Sequence, residues 1–151
     1  MDVRKRIPLA SLLIFIISFC FTAFKVEDMG EIKDYKSFET FLIGPISFLG
    51  GGLFEFLVWT ANIWFFIAVI FCYKKYFLVS LILATTAFLI AGTFFFWKEI
   101  LAAENGRMGR IYSLETGYFL WIASITFLIV GSLYLSIKSK FIIINSHPDV
   151  Q

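Results

Sequence analysis

Glu55 is the only acid inside an apolar run of this 151-residue chain, where Phe54 and Phe56 flank it. Trp59 and Asn62 follow at spacings of four and seven residues, so all three share one face if the segment is helical. A charged Asp, Lys or Arg at mid-membrane costs about 2.5–3.5 kcal/mol on translocon-insertion scales, so a carboxylate at depth needs a partner or a proton. Two placements answer that need. Either Glu55 is hydrated at headgroup level, or Glu55, Trp59 and Asn62 face inward and meet Arg107, Arg110 and Tyr118 in a polar pocket beneath one membrane surface. An ion or proton relay usually shows a second intramembrane ionisable residue, and the apolar runs supply none.

Other chemistry is thinly represented. His147 is the single histidine and stands beside Pro148 with no Cys or His nearby, so neither a metal nor another cofactor is expected. The Ser and Thr residues fall mostly within apolar runs, where they bond the preceding turn and have no base beside them. No P-loop, dinucleotide fingerprint or zincin motif is present, and a net charge of +2 excludes a nucleic-acid partner. Glu55 with Arg107 and Arg110 is the only set that an enzyme acting on lipid could use, and two clustered catalytic groups are not evident; a non-enzymatic role is expected.

The elements that must carry these residues are apolar. Hydrophobic residues make up 60% of the chain, Phe alone contributes 20, and the mean hydropathy is +0.86, against roughly 45–50% apolar content in ordinary soluble domains. Four stretches are long enough to cross a bilayer, at about 7–24, 53–73, 77–97 and 116–137. The fold class expected is therefore all-α, a single four-helix transmembrane domain over residues 1–151. Arg4, Lys5 and Arg6 ahead of the first run also suit a signal peptide, but the Phe-rich end of that run offers no small-residue cleavage site, so an uncleaved anchor is expected.

Outer loops are expected at 25–52 and 98–115, with a tail at 138–151. The first begins as a polar connection, Lys25 to Thr40. Its second part, Phe41 to Gly52, is broken by Gly44-Pro45 and by Gly50-Gly51-Gly52, each glycine weakening a helix by about 1 kcal/mol, and reads as an interfacial or shallow re-entrant element before the second span. Lys74-Lys75 makes a tight turn between spans two and three, and Asn105-Gly106 marks a turn in the second loop. Cys20 and Cys72 fall at opposite ends of adjacent helices, beyond disulfide reach.

Arg4, Lys5, Arg6, Lys74, Lys75, Lys138 and Lys140 collect on one side, opposed only by Asp2 and Asp149. Both termini are thus expected in the cytoplasm. Small residues recur at Ser80, Ala84, Ala87 and Ala91 and at Gly117, Ser124 and Gly131, stripes that let helices approach within one protomer or between copies.

At Trp59-Thr60-Ala61-Asn62 followed by Ala68, and at Gly117-Tyr118-Phe119-Leu120-Trp121 with Ser124, the chain resembles a group of small, uncharacterised bacterial four-span membrane proteins. The resemblance implies fold and topology and carries no activity. The role expected is an accessory, immunity-type or defence and stress membrane subunit, working through protein contacts, with the lipid bilayer and a homo-oligomer or membrane-protein partner around it. The alternative is a small oligomeric channel or transporter with Glu55 in its polar strip.

Overall fold

The computed structural model describes residues 3–103 and 106–145. Asp2, Glu104, Asn105, His147, Pro148 and Asp149 lie outside the described residues. Helix α1 (Val3–Ser18) leads into a hairpin of β1 (Thr22–Asp28) and β2 (Glu31–Lys36). A short helix α2 (Ser37–Ile43) and a 3₁₀ turn over Gly44–Gly50 then lead to α3 (Leu53–Trp59), α4 (Ala61–Tyr73) and α5 (Phe77–Thr93). Strands β3 (Glu99–Leu101) and β4 (Met108–Leu114) precede a final 30-residue helix, α6 (Thr116–Asn145).

An all-α chain is therefore corrected: both expected loops contribute to one antiparallel sheet of order β2-β1-β4-β3. The physical reason lies in the alternation Phe24-Lys25-Val26-Glu27, which places Phe24 and Val26 on a buried side and the charges opposite. The hairpin closes through Met29 and Gly30, both at positive φ, with Asp28 opposite Glu31. β1 then pairs β4 across the chain, Val26 opposite Ile111 and Glu27 opposite Arg110. On the outer face Glu27, Arg110 and Glu99 stand side by side, an alternating row of charge.

Boundaries move accordingly. The first apolar stretch stops at Ser18, and Thr22 to Phe24 belong to β1. The second span is interrupted at Thr60, whose hydroxyl donates to Leu57 O at 2.6 Å. The last helix runs on past Ile137 to Asn145, where a tail was expected. Three stretches are long and apolar enough to cross a membrane: Leu53–Tyr73, Phe77–Phe96 and Thr116–Ser139.

α1, α4, α5 and α6 pack against one another over an interior where a stripe of small side chains lies beside Phe15, Phe65, Ile125 and Leu128. Ser80, Ala84, Ala87 and Ala91 of α5 are completely buried, as are Ala61 and Ala68 of α4. Serines tie the helices together: Ser11 Oγ donates to Ser124 O at 2.8 Å, and Ser80 Oγ donates to Ala68 O at 2.8 Å and lies 3.0 Å from Ser132 Oγ. Large apolar side chains such as Leu13, Ile82, Leu89 and Val130 point outward instead. That inversion suits hydrocarbon surroundings, because small residues permit close helix approach there and apolar side chains need no shielding. Lys5 lies over the Tyr73 ring, which puts the start of α1 and the end of α4 together at the end away from the sheet.

Candidate functional site

A cavity of about 400 Å³ lies where the sheet meets the helices. Its roof is the inner face of the sheet, including Phe24, Tyr35 and Ile100. Phe15 of α1, Phe19 just after it, Trp59 of α3 and Trp121 of α6 form the floor and sides, and α2 with the following 3₁₀ turn closes the flank. Its walls are mainly aromatic and apolar, in the size range of roughly 300–1,000 Å³ typical of small-molecule sites.

Four of the expected pocket residues line this space: Glu55, Trp59, Asn62 and Tyr118. Glu55 sits in the first turn of α3, half-buried, and its Oε1 accepts a hydrogen bond from Leu101 N of β3 at 3.0 Å. The carboxylate therefore ties a helix to the sheet edge. Trp59 Nε1 donates to Phe41 O at 2.9 Å, and its indole lies so close to Gly44 that an added Cβ there would overlap the ring. A side chain at position 44 would displace Trp59, so the glycine is required by close approach.

Asn62 is 6% exposed and fully engaged. Its Nδ2 donates to Trp59 O and its Oδ1 accepts from Trp121 Nε1, both at 2.9 Å. Tyr118, also buried, donates from its hydroxyl to Ala91 O at 3.3 Å. These polar groups are thus spent on holding α3, α4, α5 and α6 in register beneath the cavity. Trp121, which the spacing of Glu55, Trp59 and Asn62 could not point to, is the residue that completes the network.

Arg107 and Arg110 do not join that set. Arg110 lies on the exposed outer face between Glu27 and Glu99. Arg107 Nη2 reaches Asp28 Oδ2 at 2.9 Å, and Lys33 Nζ reaches the same oxygen at 3.0 Å. Asp28 is almost entirely buried at the end of β1, and the Lys33 hydrogen bond, assisted by Arg107, holds its carboxyl below the usual carboxylate range against the opposing effect of burial. In the same exchange the Lys33 ammonium is pushed above its ordinary value, chiefly by its hydrogen bond to Asp28. No composition or spacing signal marks Asp28, because its importance comes from strand pairing with its cations drawn from two different elements.

Two further features complete the site. Ser37, at the junction of β2 and α2, is 8% exposed and its hydroxyl has no hydrogen-bond partner among the described residues, although it lines the cavity. Opposite it Gly117 of α6 leaves the room this hydroxyl needs, since a Cβ at 117 would overlap Ser37 Oγ. Among the described residues no three His, Cys, Asp or Glu side chains gather as a metal site would require. Comparisons with known protein families, with curated proteins and with solved structures find no match.

Proposed function

We propose that the chain is a polytopic protein of a bacterial inner membrane, with α1, α3 and α4 together, α5 and α6 as four crossings, both termini cytoplasmic, and the sheet on the outer side. The observation that carries this reading is the distribution of surface chemistry. Helices with apolar outward faces join a charged sheet at one end to a cluster of Arg4, Lys5, Arg6, Lys74 and Lys75 at the other. At 16 residues, about 24 Å, α1 is shorter than the hydrocarbon thickness, and it packs along α6.

Its role is binding rather than catalysis, as an accessory, immunity-type or defence subunit. Support comes from the outer face of the sheet, where the row Glu27, Arg110, Glu99 is accompanied by exposed Ile32 and Tyr112. Such a mixture of aromatic, aliphatic and paired charge suits a protein partner. The channel reading draws less support, because Glu55 is bonded to β3, Asn62 to Trp121, and the helix interior is filled by Phe65, Ile125 and Leu128.

Orientation and activity are tested together. A membrane-impermeant maleimide is expected to label the exposed Cys20 from outside intact cells, and a cysteine introduced at Lys75 only after permeabilisation. Proteoliposomes of the wild type and of Glu55→Gln are expected to show the same background ion leak. Labelling of both positions from one side, or a leak that depends on Glu55, rejects the reading.

A further inference from the structure

The polar inventory of the cavity narrows what fits it. Every hydrogen-bonding group in its floor has a protein partner: Asn62 with Trp59 and Trp121, Trp59 with Phe41, Tyr118 with Ala91. Among the buried polar side chains of the lining, Ser37 is the exception. Ser37 is more than nine-tenths buried in the cavity lining, and its hydroxyl lies against Gly117 of α6 with no partner among the described residues, one side-chain rotation from the cavity. A buried hydroxyl left unpaired costs about 1–3 kcal/mol, so an occupant that supplies one hydrogen bond removes a standing penalty.

We infer that this cavity holds a neutral single-chain amphiphile, one hydrocarbon tail under a hydroxyl or ester head that bonds Ser37. The tail follows from the walls, where Phe15, Phe19, Phe41, Trp59 and Phe94 offer apolar and aromatic surface. The head follows from the charges. Asp34, Glu39 and Glu55 also line the space, whereas the single lining cation, Lys33, is already bound to Asp28. An anionic head would meet carboxylates with no available counter-charge, so an ionised fatty acid is the wrong ligand.

The source follows from position. α2 and the 3₁₀ turn, which wall the cavity, turn Leu42, Ile43, Ile46 and Leu49 outward, and these residues are exposed. The inference rests on the reading of this surface as lipid-facing, from which an amphiphile passes sideways into the cavity without crossing water.

The test uses the purified full chain in detergent, freed of lipid by exchange, so that a wrong orientation in the membrane leaves the outcome unaffected. The probe is a monoacylglycerol brominated along its chain, read by quenching of Trp59 and Trp121, with the brominated free acid at alkaline pH as the comparison. Saturable quenching by the glycerol ester is expected, with the ionised acid at least tenfold weaker. Ser37→Ala weakens the ester about fivefold, the worth of one hydrogen bond. Val58→Trp, which narrows the cavity, weakens it tenfold or more. Quenching that rises without saturation, tighter binding of the acid, or indifference to Ser37→Ala overturns the assignment. Should Val58→Trp fail to fold on size-exclusion chromatography, the ester-against-acid ratio and Ser37→Ala decide alone.

Discussion

The helix interior and the sheet-capped end are built on opposite principles. In the interior Ala84, Ala87 and Ala91 are fully buried and serines bond across helices, so backbones approach closely. At the capped end large rings line an unfilled volume of about 400 Å³. Five of the chain's twenty phenylalanines, Phe15, Phe19, Phe24, Phe41 and Phe94, line this space without filling it. Close packing at one end supplies stability, and the space left at the other is what the inferred binding would use.

That contrast is broken most sharply by adding the same bulk to each end. Ala84→Phe is expected to cost about 3 kcal/mol or to prevent folding, because an interior with no room must be forced apart. Val58→Phe, which points its bulk toward the cavity, is expected to be neutral or mildly stabilising. Thermal unfolding in detergent, followed by size-exclusion chromatography, measures both, and equal losses would erase the distinction between the two ends.

A smaller effect sharpens the account of what separates the two regions. Asn62→Leu leaves the part-buried Trp121 Nε1 without its acceptor, and a loss of about 1–3 kcal/mol is expected by the same assay. If Trp121→Phe added to Asn62→Leu restored part of that loss, the penalty would be assigned to the orphaned indole rather than to lost packing.

The third effect belongs to the sheet alone. Asp28 has its native pKa below the ordinary 3.8, so its contribution is complete above that value and disappears as pH falls through the lowered native one. Acid is therefore expected to loosen the sheet before the helix interior, which has no comparable charge. Asp28→Asn should flatten the acid limb of unfolding monitored by hydrogen exchange in β1 and leave exchange in α5 unchanged. A wild-type acid limb identical in both regions would contradict this.

How much of this was legible beforehand depends on the range of the interactions. The apolar stretches, the Lys74-Lys75 turn and the buried stripe from Ser80 to Ala91 are written in local periodicity. The sheet is not. Phe24 reads as the end of a hydrophobic run until Val26 two residues later reveals the alternation, and β3 has only three residues. Its partner for β1 lies more than eighty residues onward, and pairing at that range leaves no local trace. The site divides the same way. Glu55, Trp59 and Asn62 share a helical spacing, whereas Ser37, Asp28 and Trp121 acquire their roles only from neighbours that folding brings to them. Arg107 and Arg110 were attractive by charge alone, and strand geometry turned one toward Asp28 and the other outward.

β4 passes into α6 with only Glu115 between them, and α6 continues unbroken for 30 residues, about 45 Å. The rod outlasts the thickness of a bilayer and is clamped at its upper end to the central strands of the sheet. A partner that tilts the sheet by a few degrees must swing the opposite tip sideways by several ångströms. The molecule thus contains a stiff lever that joins the motion of the sheet to that of the far end of the helices.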